Sequence, residues 1–291
     1  MADTVGMQDI RGLDIDKMVK GFALINYIFK NDCMVSSTSA DSIRWYQETS
    51  ADLTATSPSD IEHAPGATPE TLEVSWTRNT SYVREYMAES TISEMDVRSA
   101  DIDVLARTLL RLTRAVVKKV DQRIYNVITE SDSPSTIQTF ATTAVGGDQW
   151  DAASYAGNPI KDILHAKYLL ENQGYDGNRA VLYLHPLDAR NLMDWLIAGK
   201  GSNFPSFSSD KVQSGTLMQL LGVTIKVSTN VTSDNAVMVI PQTSCTWKTH
   251  TDTTSRVIED PGLNRKVRVY ERGEAILTDP NAVVYISDLQ T

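Results

Sequence analysis

Cysteine is scarce in this chain of 291 residues. The two cysteines, Cys33 and Cys245, lie far apart in the sequence. Two thiols permit at most one disulfide, so the chain has no disulfide framework and no thiol pair at zinc-ligand spacing. None of the four histidines has a histidine, cysteine or acid partner at the spacing of a metal site. We therefore expect neither a metal ion nor a cofactor.

Long apolar runs are also missing. No stretch approaches the roughly 20 apolar residues that a membrane-spanning helix needs. Residues 1–14 lack the basic segment and apolar run of a secretory signal. We expect no membrane association and no secretion, so the protein should be made and kept in the cytoplasm or leave it by cell lysis. A composition with 41% hydrophobic and 22% charged residues is typical of a globular protein with a sizeable core.

Basic residues are in deficit. The chain has 27 lysines and arginines against 37 acids, which gives a net charge of -10. Non-specific affinity for nucleic acids comes mainly from cationic side chains that neutralise phosphates. An acidic chain is therefore a poor candidate for wrapping a phosphate backbone.

The sequence motifs of common enzymes are absent. No G-x-G-x-x-G or G-x-S-x-G motif occurs, and residues 199–202 lack the spacing of a phosphate-binding loop. His185 precedes Pro186 at a predicted strand end, where a catalytic base is one interpretation and a capping or packing role is the more common one. A cytosolic α/β enzyme that uses His185 and the Asp188 region is the alternative from a different functional class. We expect no catalytic residues and no enzymatic activity.

The strongest secondary-structure pattern covers residues 99–130. Apolar residues recur there with a 3.6-residue period through eight or nine turns, and no glycine or proline interrupts them. A helix of this length would extend on the order of 45 Å, far beyond the usual three or four turns. Its polar face carries Arg107, Arg111, Arg114, Lys118 and Lys119. The pattern predicts a spine helix; membership of a helical bundle is the alternative, but the β-rich remainder argues against it.

A polar segment precedes the predicted spine. Residues 49–69 are crowded with serine, threonine, aspartate and proline, and such a composition buries little. Strand patterns flank this segment at residues 45–48 and 71–85, so the whole region predicts a hairpin whose loop far exceeds the usual two to five residues. Trp45, Trp76 and Tyr82 on the hairpin strands are available to anchor a partner surface, where such residues are enriched. Packing of these aromatic residues on one another across the hairpin is the alternative.

The remaining elements alternate between helix and strand. The patterns predict a helix over residues 13–31 and a helix–strand–helix layer over 158–199. Short strands are predicted at 217–221, 223–227, 236–240, 267–270, 275–278 and 283–286, with breaks at Arg272-Gly273 and at residues 279–281.

This order of parts resembles the tailed-phage major capsid proteins, whose shared fold is called Hong Kong 97-like. Residues 92–94 (Ile-Ser-Glu) are similar to the I-S-x-E motif before the family's spine helix, and Val120-Asp121 resembles a motif near its end. Residues 163–196, 221–228 and 279–286 are similar to later family motifs. Each motif is short, and together they cover about 200 of the 291 residues in the expected order.

The resemblance implies an α+β fold of the Hong Kong 97-like type. It implies an N-terminal arm over residues 1–41, an extended β-hairpin loop over 42–90, a peripheral domain over 91–156 and 240–291 that contains the spine helix 99–130, and an α/β axial domain over 157–239. In this family the extended hairpin lies over an adjacent subunit. Trp45, Trp76 and Tyr82 would then belong to a subunit interface.

The resemblance also implies a function. The chain would be a major capsid protein that self-assembles into pentamers and hexamers of an icosahedral shell, enclosing double-stranded DNA without sequence-specific binding. Scaffold, portal and decoration proteins would be further partners, and the protein would be assembled in the host cytoplasm into the virion. Encapsulins, which share the fold and enclose enzymes, are the nearest alternative; their usual stretch similar to L-H-R-x-L-A-P has no counterpart in residues 1–30.

Overall fold

The computed structural model describes residues 19–20, 27–47, 65–66, 77–93, 104–199, 219–260 and 264–291. Helices and strands are both present within these residues. The strands are β1 (Met34–Ser37), β2 (Ser42–Gln47), β3 (Thr77–Tyr82), β4 (Arg84–Ser93), β5 (Gln138–Ala141), β6 (Val181–Leu184), β7 (Gln219–Leu220), β8 (Val223–Val227), β9 (Asn235–Val239), β10 (Cys245–Asp260), β11 (Asn264–Leu277) and β12 (Val283–Ser287). The α-helices are α1 (Val104–Ile128), α2 (Thr142–Val145), α3 (Pro159–Asn172) and α4 (Pro186–Asp194), and α4 continues as a π-helical turn over Trp195–Gly199.

The chain divides into two compact units, each built from segments that are distant in sequence. The first unit comprises Met1–Ile43, Ser81–Ile124 and Trp247–Ala275. The second comprises Arg44–Thr80, Tyr125–Thr246 and Ile276–Thr291. The four family-derived domain boundaries given above stay a prediction.

A four-stranded sheet in the order β1-β10-β11-β4 forms the framework of the first unit. Strand β4 pairs antiparallel with β11 over ten residues. Along β4, Tyr86 and Ile92 are buried while Glu85, Met87 and Glu89 are exposed. This period of two is that of a strand with one buried face, so β4 was detectable from sequence although only its first residues were predicted.

The predicted break in the strands at Arg272-Gly273 is wrong. Strand β11 continues through Gly273 to Leu277. A Cβ atom on Gly273 would lie 2.5 Å from Cζ2 of Trp247, a fully buried side chain on β10. The glycine therefore makes room for the indole ring instead of forming a turn.

The spine helix is confirmed as α1 over Val104–Ile128. Residues 99–103 lie outside the described part of the chain. The inward face carries Leu109, Val116, Val120 and Ile124, each at most 2% exposed. The long 3.6-residue period thus corresponds to one continuous buried stripe.

The helix predicted over residues 13–31 is observed only in part: Val19 and Lys20 are helical, but the segment after residue 26 is not. Residues 27–29 are not helical, and Lys30–Asp32 form a single 3-10 turn. The backbone N–H groups of Ile28 and Lys30 donate to the buried carboxylate of Asp121 on α1, at 2.8 and 3.2 Å. These tertiary bonds satisfy donors that a continuing helix would have bonded internally, which explains the difference.

The second unit is an α/β layer around a six-stranded sheet in the order β5-β12-β9-β6-β8-β7. Strand β6 pairs parallel with β8 and antiparallel with β9. One continuous core joins this sheet to helices α3 and α4. It includes Ile163 and Leu170 of α3, Leu192 of α4, and Leu182 and Val284 of the sheet. The predicted helix–strand–helix layer is confirmed.

Local signals in the sequence set the helix ends in this layer. Asn158 accepts from the backbone N–H of Lys161 at 3.3 Å, and Pro159 occupies the first position of α3. Gly174, with a φ of +86°, follows the end of α3 in the left-handed conformation that glycine adopts easily.

Candidate subunit interface

Strands β2 and β3 form a two-stranded ribbon, and the long connection between them corresponds to the predicted extended loop. Most of residues 48–76 lie outside the described residues, so the loop itself is not characterised. At the base of the ribbon, Asn79 Nδ2 donates to Gln47 Oε1 at 2.5 Å. The indole Nε1 of Trp45 donates to the backbone carbonyl of Leu277 at 3.1 Å. These bonds hold β2 and β3 in place close to the residues at which the loop begins and ends.

The three aromatic residues proposed for the interface have different environments. Trp45 is half-buried and hydrogen-bonded within its own subunit. Tyr82, the last residue of β3, is 70% exposed. Trp76 lies outside the described residues. Tyr82 therefore has a side chain available to a partner, while the indole of Trp45 is hydrogen-bonded within its own subunit. The assignment of Trp45, Trp76 and Tyr82 to a subunit interface stays a prediction.

A buried ionic network joins the amino-terminal segment to β11. Glu271 is fully buried, and Lys30 Nζ donates to its Oε1 at 2.6 Å. The hydroxyl groups of Tyr27 and Thr253 donate to its other oxygen, Thr253 at 2.9 Å. Burial, followed by the nearby Glu271 charge, raises the pKa of Tyr27 above its usual range. The network fixes Tyr27 and Lys30 against β11.

A second buried carboxylate joins α1 and the start of β4 to the same strand. Glu274 is fully buried and accepts from Arg123 Nε at 3.0 Å and from Ser81 Oγ at 3.3 Å. Arg84 Nε lies 3.5 Å from its other oxygen. Because a buried charge is costly without partners, the Glu274 network strongly constrains how the sheet and the spine helix meet.

Asp121 is the third buried acid of the first unit. It is 2% exposed, and burial raises its pKa to about 6 although it accepts N–H groups of residues 28–30. Its role as an anchor for the amino-terminal segment was not predicted. The sequence gives only a weak signal for it, the single acid of a helix whose buried face is mainly apolar.

The outer face of the first unit's sheet carries cross-strand ion pairs. Glu89 pairs with Arg268 at 2.6 Å and Glu85 pairs with Arg272 at 3.1 Å, and both pairs sit directly opposite in the β4–β11 register. Exposed pairs of this kind contribute about 0–1 kcal/mol each. These pairs help to specify the register of β4 against β11, and their contribution to the stability of the subunit is small.

A family model described as a phage capsid protein matches residues 85–286. That range covers more than two thirds of the chain. The chain belongs to the phage capsid protein family. No curated protein sequence matches the chain. As a phage capsid protein it is a shell component and is located in the virion.

Solved capsid structures are similar to this capsid protein over nearly their whole lengths. A virus-like particle from Pyrococcus furiosus is 12% identical with a TM-score of 0.62, over 95% of this chain and 99% of that one. The capsid of cyanophage P-SCSP1u is 13% identical with a TM-score of 0.63, over 90% and 88%. A structure of Mycobacterium phage Che8 is 15% identical with a TM-score of 0.61, over 91% and 92%. The fold is the Hong Kong 97-like capsid fold, as the resemblance implied.

Exposed apolar side chains of this capsid protein identify surfaces that the sequence analysis missed. Leu164 and Tyr168 project from α3 and are 47% and 57% exposed, and Met87 on β4 is 48% exposed. Leu164 and Tyr168 are four residues apart, so they share one face of the helix. The sequence pattern placed Leu164 on one face of this helix together with Ile163 and Leu170. The latter two are buried, but Leu164 is exposed, so the pattern assigned Leu164 to the wrong face.

The residues proposed for the enzyme alternative have structural partners. His185 caps α4, because its Nδ1 accepts from the backbone N–H of Leu187 at 3.3 Å. Asp188 is fully buried and accepts from Gln290 Nε2 at 2.5 Å, and burial raises its pKa. The described residues contain no group of three or more His, Cys, Asp or Glu side chains that could hold a metal ion. Among those residues no helix is long and apolar enough to cross a membrane.

We expect Tyr82→Ala to weaken assembly without weakening the subunit. The side chain is 70% exposed, so its loss should change the free energy of unfolding by less than about 0.5 kcal/mol. An interface tyrosine worth about 2 kcal/mol would raise the concentration needed for assembly about thirtyfold. Thermal unfolding and light scattering against protein concentration measure the two effects.

Trp45→Phe is the matched control for this measurement. It removes the indole donor to Leu277 and keeps an aromatic ring at this position, so it should cost the subunit about 1 kcal/mol and shows how assembly responds to a loss of stability within the subunit. Normal assembly of Tyr82→Ala would remove Tyr82 from the interface.

Proposed function

We propose that this capsid protein self-assembles into pentamers and hexamers of an icosahedral shell that encloses double-stranded DNA. The observation that carries the proposal is the family match over residues 85–286, which includes the spine helix and most of both sheets. The likeness to solved capsid structures over about nine tenths of the chain supports it.

Exposed apolar and aromatic side chains support contacts at several places on the subunit. A shell subunit needs neighbours along its edge, and exposed side chains of these types are available for such contacts. Tyr82 on the ribbon, Met87 on β4 and the Leu164–Tyr168 face of α3 are three such places. In each, an aromatic or sulfur-containing side chain is present, the types enriched in interface cores.

The proposed role requires no catalysis. Further copies of the chain would be the main partners, and scaffold, portal and decoration proteins would join them during assembly in the host cytoplasm. Packaged DNA would be held without sequence-specific contacts.

A protein-filled compartment is the second candidate, and one observation favours it. The similarity to a virus-like particle from Pyrococcus furiosus extends over 99% of that chain. Residues 1–30 nevertheless lack a stretch similar to the L-H-R-x-L-A-P of encapsulins. The contents of purified particles distinguish the two candidates: nuclease-protected DNA supports the virion shell, and protein cargo supports the compartment.

Light scattering and negative-stain imaging of the purified full-length chain test the proposal. We expect closed shells tens of nanometres across, or pentamers and hexamers that form before them. Co-expression with the scaffold gene of the same genome controls for a missing assembly factor. A monomer or dimer that persists under both conditions would contradict the proposal and would favour the enzyme alternative.

A further inference from the structure

The exposed side of α1 carries a series of cations. Arg107, Arg111, Arg114 and Lys118 follow one stripe of the helix, and Lys119 projects about 100° to the side of Lys118. Arg107, Arg111, Arg114, Lys118 and Lys119 are all exposed. They occupy 13 consecutive residues, which at 1.5 Å per residue correspond to about 18 Å of helix. These five side chains define the basic face of α1.

Nothing on α1 offsets this positive charge at the surface. The helix contains a single acid, Asp121, which is buried and bonded to the amino-terminal segment. The sixth cation of the helix, Arg123, is turned inward to Glu274. Arg107, Arg111 and Arg114 form no ion pair with any of the residues that the structure describes.

The positive charge of the basic face contrasts with the acidic remainder of the chain. The whole chain has a net charge of -10, so the residues outside the basic face carry -15. The face therefore attracts anions locally although the protein as a whole repels them. Net charge alone had led to the opposite expectation.

The composition of the face indicates what kind of anion fits it. No large apolar side chain is exposed anywhere on α1. Protein–protein interface cores are depleted in charge and carry aromatic or apolar anchors, whereas protein–DNA interfaces are much more positively charged. Five cations over about 18 Å correspond to a mean spacing of about 4.5 Å, which is wider than the rise of about 3.4 Å per phosphate along one DNA strand but of the same order.

We propose that the basic face of α1 is a docking site for the phosphate backbone of double-stranded DNA. Arginine and lysine side chains would bind phosphate oxygens without reading base edges, so binding would be independent of sequence. The inference rests on the proposed function for the source of the DNA, which would be the packaged genome. Its chemistry can be tested on the subunit alone.

The test measures binding of the unassembled full-length chain to a fluorescent 24-base-pair duplex of mixed sequence over a range of salt concentrations. If five phosphates are neutralised, the logarithm of the binding constant should fall with the logarithm of salt with a slope of about -4.5. Affinity would then drop about 500-fold between 50 and 200 mM salt. The triple variant Arg107→Gln/Arg111→Gln/Arg114→Gln should reduce the slope to about -1.8 and the drop to about twelvefold.

A second triple variant with the same change in net charge serves as control. Arg78→Gln/Lys161→Gln/Lys266→Gln neutralises three exposed cations elsewhere on the chain and should keep the wild-type slope. Circular dichroism and thermal unfolding check that both variants fold, as expected for exposed positions. Equal slopes for the two triple variants would overturn the inference.

Particle imaging of the same variants separates this inference from the proposed function. Normal shells together with lost duplex binding in the basic-face variant support the DNA site. Lost shells together with unchanged duplex binding would assign the face to an acidic protein partner and overturn the inference. Failure of the wild-type chain to form shells would count against the proposed function, while the salt slopes would still decide the binding site.

Discussion

Deletion of residues 49–69 should give a folded subunit that no longer forms closed shells. The segment contains only two large apolar residues, Leu53 and Ile61, so its removal should cost the subunit little. Shortening a surface loop changes stability by about 1 kcal/mol or less. Each intersubunit contact of about 2 kcal/mol that disappears would weaken association about thirtyfold, and a shell repeats that loss at every subunit.

Thermal unfolding and particle imaging of the deletion variant measure these effects. A variant in which residues 49–69 are replaced by 21 glycine and serine residues is the matched control, because it keeps the length of the connection between β2 and β3. Loss of shells in both variants would show that the side chains of the loop are needed. Normal shells in the deletion variant would show that the assignment of an extended loop is wrong.

Lys30→Met should destabilise the subunit by about 3–5 kcal/mol, the cost of leaving a buried charge without its ionic partner. Glu271 is fully buried, and Lys30 Nζ is its cationic partner at 2.6 Å. Methionine keeps most of the apolar stem, so the loss would come from the charge and not from a cavity. Urea unfolding followed by tryptophan fluorescence measures it, since Lys30 lies 5.5 Å from the ring of Trp247.

Two further variants test the cause of this loss. Lys30→Met/Glu271→Gln removes both charges and should recover about 1–2 kcal/mol relative to the single substitution. Arg268→Met breaks the exposed pair with Glu89 and should cost about 1 kcal/mol or less. Equal losses for Lys30→Met and Arg268→Met would contradict the description of Glu271 as a buried partner.

The elements with long, regular patterns could be predicted from the sequence. The inward residues of α1, from Leu109 to Ile124, follow the helical period without interruption because one side of the helix is buried throughout. Asn158, Pro159 and Gly174 set the ends of α3 by local backbone chemistry, which needs no distant partner.

The long strands of the first unit were harder to predict. Strand β10 begins with the sequence Cys-Thr-Trp-Lys-Thr-His-Thr-Asp, in which threonines and a histidine hide the alternation of a half-buried strand. Gly273 was interpreted as a break because glycine is frequent in turns, but it lies opposite the buried ring of Trp247. A contact between residues 26 positions apart leaves no local signal.

The environments of Trp45 and Tyr82 could be predicted only in part, and their assignment to a subunit interface stays a prediction. The sequence placed Trp45 and Tyr82 on the hairpin strands correctly, but it gave both the same role. The structure separates them, since the indole of Trp45 donates to Leu277 while Tyr82 remains exposed. This hydrogen bond joins residues 232 positions apart, so it depends on the tertiary fold. The periodicity of neighbouring residues carries no information about such a contact.

The sequence by itself determined the family resemblance, the spine helix and the α/β layer, because each depends on the order and period of neighbouring residues. Only the tertiary structure decided how charge is used. It buried Glu271, Glu274 and Asp121 among partners from distant segments, whereas the five exposed cations of α1 are those that the helical period had placed on the polar side. Burial is a property of the surroundings, and the same charged residue types stabilise a core or attract an anion according to what packs around them.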